Sequence, residues 1–195
     1  MENTGEELNT SSFFIFMNYE IELKYKVNKL PLKFDRCLEI VQTYFKPKNN
    51  LDILIESFDN LDINTINTFR LRKIIENNNI KYYLTLKTKS VGIKRKEYEK
   101  EISIDTYNTL IQENIDSIVI KNRYIKYENN YIFEYDEYLN LKINLITLEV
   151  ELEKENNLQE DKTKIEAILK ENNIEYIDVT LDHRYKNTNI IKYFG

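Results

Sequence analysis

Carboxylates and cations spaced two residues apart recur along this chain, and an extended strand turns such spacing into a row of like groups on one face. Glu20, Glu22, Lys24 and Lys26 make one row, with Tyr19, Ile21, Leu23, Tyr25 and Val27 on the opposite face. Arg70 with Arg72, Lys87 with Lys89, and Lys121 with Arg123 make basic rows. Glu134 with Asp136 and Glu149 with Glu151 make acidic ones, and Arg95, Glu97, Glu99 and Glu101 form a further charged row. Carboxylate oxygens are hard ligands suited to Mg2+ or Mn2+, ions that commonly bridge one or two carboxylates to substrate phosphates. Arginine offers forked donors to phosphate oxygens, and lysine a point charge. A metal polyphosphate complex uses both kinds of row at once.

The rest of the composition narrows the setting in which such rows can act. At 195 residues the chain fits one domain with a sizeable core. Gly and Pro together number five, and 42% of residues are hydrophobic, which excludes a disordered or linker-rich array. Lys+Arg number 28 against Asp+Glu 33, a formal charge of -5, so a general nucleic-acid binder is not expected and any anion site must be local and enclosed. One cysteine and one histidine leave no internal disulfide and no zinc cluster, which suits a reducing, cytoplasmic setting. Phe13-Phe14-Ile15-Phe16 is too short for a membrane span and follows acidic residues, so neither export nor membrane association is expected. Residues 1–16 read as an extension or tail, and 18–195 as a single domain.

The elements that must carry the rows are mostly strands. Ile, Tyr, Val and Phe alternating with charge predict strands near 18–27, 50–58, 67–76, 80–89, 95–104, 117–128, 130–138 and 146–153. Short polar connections such as Asn77-Asn78-Asn79 and Glu128-Asn129-Asn130 predict antiparallel neighbours. Helical periodicity is read in 33–44, weakly in 106–114, and in 160–172 with Ile165, Ile168 and Leu169 on one face.

An open antiparallel sheet with one wet face would also alternate. Two features favour an enclosed charged interior: acidic and basic residues are segregated by strand, and the rows are scarcely broken by Thr, Ser or Gln. The expected fold is therefore mainly β within the α+β class, an eight-stranded antiparallel closed β-barrel with a few helices packed outside. Such a barrel has room inside for one small ligand. Buried cations without a polyanion, and clustered carboxylates without a metal, would both be unstable.

Glu20-Ile21-Glu22-Leu23-Lys24 resembles the ExExK signature of the CYTH superfamily, the triphosphate tunnel metalloenzymes. The resemblance continues in family order through Arg70-Leu71-Arg72, Leu86-Lys87, Arg95-Lys96-Glu97-Tyr98-Glu99, Lys121-Asn122-Arg123, Phe133 to Tyr138, Glu149-Val150-Glu151 and Asp182 to Asn187. It implies a tunnel fold and hydrolysis of a triphosphate, with inorganic tripolyphosphate as the first candidate and Mg2+ or Mn2+ as cofactor. By this carry-over Glu20, Glu22, Asp136, Glu149 and Glu151 would bind metal. Lys24, Arg70, Arg72, Lys87, Arg95, Lys121, Arg123 and Lys186 would bind phosphates, and Glu97, Glu99 and Glu134 would organise the site or hold a second metal. Glu20, Glu22, Lys24, Arg72 and Arg123 form the expected catalytic set.

The resemblance leaves thiamine triphosphatase and class IV adenylate cyclase open, and a non-catalytic polyphosphate-binding module would use the same rows. The partner is a small-molecule triphosphate, and the oligomeric state stays open between monomer and homodimer. Cys37 is expected to be core-facing or inert on the first helix, and His183 to serve a loop or helix start. The tyrosine-rich stretches are expected to pack outward, away from the ligand.

Overall fold

The computed structural model describes residues 18–58, 61–89, 94–152 and 157–195, with the backbone alone at 18–20 and 94. The expected tail at 1–16 lies outside the described residues. Nine strands form one antiparallel sheet: β1 (Asn18–Val27), β2 (Arg36–Lys46), β3 (Ile66–Glu76), β4 (Asn79–Thr88), β5 (Lys94–Ile102), β6 (Asn114–Glu128), β7 (Tyr131–Tyr138), β8 (Ile146–Glu151) and β9 (Tyr176–Asp178). The helices are α1 (Leu51–Glu56), α2 (Ile104–Leu110), α3 (Leu158–Glu171) and α4 (Ile190–Phe194).

The eight-stranded closed barrel expected from the sequence is corrected by this topology. The sheet is nine-stranded, in the order β5-β4-β3-β2-β6-β7-β8-β1-β9 with a further β5–β1 pairing; β5 and β9 do not pair with each other, which leaves the sheet open at β9. The physical reason lies in β1, whose outer edge is divided between two short partners. Asn18–Ile21 pair with Lys94–Glu97 of β5, whereas Tyr25–Val27 pair with Tyr176–Asp178 of β9. The opposite edge of β1 is taken by β8 from Glu22 to Val27.

Two further expectations exchange places. Residues 33–44, expected to be helical, hold strand β2, and 50–58, expected to be a strand, hold helix α1. In the first case Phe34, Leu38, Val41 and Phe45 satisfy a helical period, but Leu38, Ile40, Gln42 and Tyr44 satisfy a period of two equally well. The β-branched and aromatic content, together with partners on both sides, decides for the strand. In the second, Leu51, Leu54, Ile55 and Phe58 recur at helical spacing, and Asp52 sits in the first turn where the helix dipole favours negative charge.

The hairpins β3–β4 and β6–β7 close through Asn77-Asn78 and Asn129-Asn130, all four with φ between 48° and 66°. Two-residue hairpin turns of this hand need positive φ at both positions, and asparagine is among the few residues other than glycine that accept it. The turns fix register, and register fixes which face each charge occupies.

The apolar faces lie outside, under helices. Ile21, Leu23 and Tyr25 of β1, Phe133 and Tyr135 of β7, and Leu148 and Val150 of β8 form one core with Ile165, Ile168 and Leu169 of α3. Leu71, Leu84 and Leu86 form a second with Leu54 of α1 and Leu110 of α2. Burying each such side chain contributes roughly 1.5–3 kcal/mol. A third core lies on the cavity side instead, where Tyr185 and Ile190 near the C-terminus meet Tyr44, Val119 and Tyr138. With the first two cores held outward, alternation turns the charged residues of those strands to the other side.

Candidate functional site

The inward faces of β1 to β8 line one cavity of about 590 Å³, together with residues 179–182 and 185–188 of the C-terminal segment. Seven cationic and seven acidic side chains line it among the described residues. The charged rows therefore share a single enclosure, and do not lie on a flat wet face.

Two clusters of ion pairs divide the cavity. In the first, on β3, β4 and β5, Arg70 Nη2 lies 3.3 Å from both Glu97 Oε1 and Glu99 Oε2, and it donates to Thr85 Oγ1 at 3.1 Å. Lys87 Nζ meets Glu97 Oε2 at 2.6 Å, and Thr85 Oγ1 donates to Glu99 Oε2 at 2.6 Å. Arg72 is held more loosely: its Nη2 is 3.6 Å from Glu99 Oε2, and its buried Nε has no hydrogen-bond partner among the described residues. Burial, then the neighbouring Arg70, lowers the Arg72 pKa, the direction expected of a cation short of counter-charge. Burial would raise the Glu99 carboxyl, but Arg72 and Arg70 hold it below its ordinary value.

The second cluster, on β1, β6, β7 and β8, is denser. Glu149 Oε1 accepts from Lys24 Nζ at 2.5 Å, and Glu149 Oε2 from Arg123 Nη2 at 2.5 Å. Arg123 also holds Asp136, with Nε to Oδ1 at 2.6 Å and Nη2 to Oδ2 at 2.7 Å, and it pairs with Glu134. Lys121 pairs with Asp136 beneath it, and both side chains are fully buried. Burial alone would lower Lys24 and raise Glu149. Instead Glu149 holds Lys24 above its ordinary value, and Lys24, Lys121 and Arg123 together hold Glu149 well below its own. Asp136, Glu134 and Glu149 likewise raise Arg123 against the effect of burial. Lys121, by contrast, is pushed down to about 8 by burial and the adjacent Arg123.

Of the residues expected from the sequence, Glu22, Lys24, Arg70, Arg72, Lys87, Arg95, Glu97, Glu99, Arg123, Glu134, Glu149, Glu151 and Lys186 all line the cavity. Lys121 and Asp136 do not; they lie behind Arg123 as its support. Glu20 pairs through its backbone with Arg95, but its side chain lies outside the described residues. Among the described residues, no group of three or more His, Cys, Asp or Glu side chains is arranged to hold a metal ion. Glu22 and Glu151 nevertheless stand opposite each other in the β1–β8 register, and both reach the cavity. Cys37 is exposed on β2, not core-facing on a helix, and its thiol is raised by burial and Glu39, which disfavours the reactive thiolate. His183 starts a short 3-10 turn and meets the Tyr193 hydroxyl at 3.1 Å.

Several polar residues in or beside the site are missing from the sequence expectation, among them Asn187, Tyr138, Gln42 and Tyr44. Asn187 donates to Glu149 Oε1 at 3.3 Å and accepts from the Tyr138 hydroxyl at 2.7 Å, so it ties the C-terminal segment to the second cluster. Tyr138 also lies 3.2 Å from Thr147 Oγ1. Gln42 and Tyr44 line the cavity from β2, the segment read as a helix. The alternation Leu38, Ile40, Gln42, Tyr44 was the available signal for that pair; Asn187 closes the family-like segment Asp182 to Asn187, but nothing local there points to Glu149.

Residues 18–185 match the CYTH domain family. The chain is 34% identical over 115 residues to a protein of Acetivibrio thermocellus named inorganic triphosphatase, a stretch that spans 58% of this chain and 67% of that one. Among solved structures it resembles the PH1819 protein of Pyrococcus horikoshii OT3, with TM-score 0.58, 22% identity, and 82% of this chain and 93% of that one covered. It also resembles the inorganic triphosphatase NE1496, with TM-score 0.50, 23% identity, and 90% and 95% covered. At these identities the two structures establish likeness of fold.

Proposed function

The chain belongs to the CYTH domain family, and from that premise we propose that it hydrolyses a triphosphate, with inorganic tripolyphosphate as substrate. The observation that carries the reading is Arg72, a cavity-lining guanidinium whose buried Nε lacks a partner among the described residues and whose nearest carboxylate contact among them is at 3.6 Å. A buried cation so weakly compensated calls for an anion. Lys24, Arg70, Lys87 and Arg123 stand around the same cavity, already oriented by their own carboxylates. The inorganic triphosphatase of Acetivibrio thermocellus supports the choice of substrate.

In this reading Arg70, Arg72 and Lys87 hold phosphate oxygens at one cluster, and Lys24 and Arg123 hold them at the other. Arg95 and the exposed Lys186 contribute from β5 and the C-terminal segment. Donors fixed in advance need no reorganisation as charge shifts towards the leaving phosphate, which is the largest effect such a site offers. Water attacks the terminal phosphorus in line, the anhydride P–O bond breaks, and phosphate and pyrophosphate leave. The paired carboxylates keep the cations in place, because long side chains otherwise lose freedom on binding.

A magnesium-type ion fits the residues present. Cationic and acidic side chains balance in number around the cavity, so a polyanion entering it brings uncompensated negative charge. Such an ion needs one or two carboxylates beside phosphate oxygens, and Glu22 with Glu151 would supply them. Glu149 and Asp136 are engaged by Lys24, Arg123 and Lys121, which assigns them to orienting cations. When bound, the ion would polarise a phosphoryl oxygen and offset charge on the chain.

The test is phosphate release from tripolyphosphate, thiamine triphosphate and ATP, each with Mg2+, Mn2+ or EDTA. We expect release from tripolyphosphate that EDTA abolishes. Binding of tripolyphosphate without release would make the protein a polyphosphate-binding module, and cyclic AMP from ATP would make it a cyclase.

A further inference from the structure

Among the described residues, strand β2 is the one cavity-lining strand that contributes no charge: its residues there are Gln42 and Tyr44. It runs between β3 and β6, and so separates the cluster around Arg70 and Arg72 from the cluster around Arg123 and Lys24. Gln42 stands in register with Arg72 on one side and Val119 on the other. It is 1% exposed, and what exposure it has faces the cavity.

The orientation of its amide follows from its neighbours. The Tyr44 hydroxyl donates to Gln42 Oε1 at 3.2 Å, and the Arg70 guanidinium lies against the same hydroxyl, which leaves the hydroxyl proton for Gln42. With Oε1 committed in this way, Nε2 is turned elsewhere, and it makes no hydrogen bond with the described residues. Arg72 Nε, on the paired residue of β3, is in the same condition. A buried guanidinium nitrogen without an acceptor, beside an amide on the cavity wall, makes a place where a ligand's oxygen atoms would be favoured.

We propose that Gln42 is a substrate-binding residue whose Nε2 donates to a phosphate oxygen between the two cationic clusters. The inference rests on the triphosphate reading above. A neutral donor flanked by cations matches the charge of the ligand: an internal phosphoryl group of a triphosphate carries one negative charge, whereas the terminal ones carry up to two. Gln42 thus reads the middle of the chain and favours ligands long enough to reach both clusters.

Three variants test this: Gln42→Met, which keeps the volume and loses both polar atoms; Gln42→Glu, which keeps the acceptor for Tyr44 and replaces the donor with negative charge; and Tyr44→Phe. Calorimetric binding of tripolyphosphate and of pyrophosphate is measured for each, with the melting temperature as a check on folding. Gln42→Met is expected to weaken tripolyphosphate about tenfold, the loss of one hydrogen bond to a charged acceptor, and pyrophosphate by less than about threefold. Gln42→Glu is expected to weaken tripolyphosphate about a hundredfold through like-charge contact. If Gln42 served merely as a partner for Tyr44, Gln42→Met would match Tyr44→Phe in its effect on both ligands, which would overturn the proposal. Wild-type protein that ignores tripolyphosphate overturns both this inference and the reading beneath it. Tight wild-type binding with Gln42→Met and Gln42→Glu unchanged overturns the role of Gln42 alone.

Discussion

Replacing Arg72 by methionine separates binding energy from folding energy, because this cation has little to lose in the fold. Its one ion pair among the described residues is the 3.6 Å contact to Glu99, and Glu99 keeps Arg70 at 3.3 Å and Thr85 at 2.6 Å without it. Removing a buried positive charge beside Arg70 also relieves repulsion, the cause that follows burial in lowering the Arg72 pKa. The expected change in stability is therefore within about 1 kcal/mol, which for a domain of this size is about 2–4 °C in Tm. Activity should respond quite differently. A preorganised donor to the reacting phosphate is worth about 2.7–4 kcal/mol, so kcat on tripolyphosphate should fall roughly a hundredfold to a thousandfold. Arg123→Met supplies the contrast. That change leaves Asp136, Glu134 and Glu149 around a missing guanidinium, and breaking such a buried network costs about 3–5 kcal/mol, or roughly 6–20 °C. The assay is thermal unfolding beside phosphate release at saturating substrate. If Arg72→Met kept its kcat within about threefold, or lost it only in step with folded protein, the assignment of Arg72 to the triphosphate would be wrong.

Further expectations concern positioning and packing. Asn187→Ala removes one donor from Glu149 and the acceptor of Tyr138; kcat on tripolyphosphate should fall about tenfold with Tm lowered by a few degrees, and Tyr138→Phe should reproduce part of the loss. Glu113 accepts from the backbone N–H groups of Lys48 and Asn49 and from the Asn50 amide. Burial would raise its carboxyl, but those donors hold it below its ordinary value of 4.5. Its contribution is therefore fully present above about pH 4.5 and is lost as the pH falls through the lowered native value. Glu113→Gln should cost about 1–2 kcal/mol at pH 7, flatten that acid limb in unfolding curves, and leave phosphate release unchanged. Ile165→Ala, at the centre of the α3 interface, should cost about 2–5 kcal/mol by denaturant unfolding, with kcat retained in the protein that remains folded.

The sequence by itself determined which side chains share a face, since alternation is a property of each strand alone. Glu22 with Lys24, Arg70 with Arg72, and Glu149 with Glu151 follow from a period of two, and Asn77-Asn78 and Asn129-Asn130 from the few residues that tolerate positive φ. Where two periods fitted the same residues, local reading failed. Arg36–Lys46 satisfied a helical and an extended pattern alike, and only its partners β3 and β6 made it a strand and turned Gln42 and Tyr44 inward. Tertiary structure alone decided the rest: that the sheet is open with β9 at its end, that Lys121 and Asp136 lie behind Arg123 and not at the cavity wall, and that Asn187 reaches Glu149 from 38 residues away. These are contacts between groups far apart in the chain. Their energies depend on distance and burial, quantities that no local pattern contains.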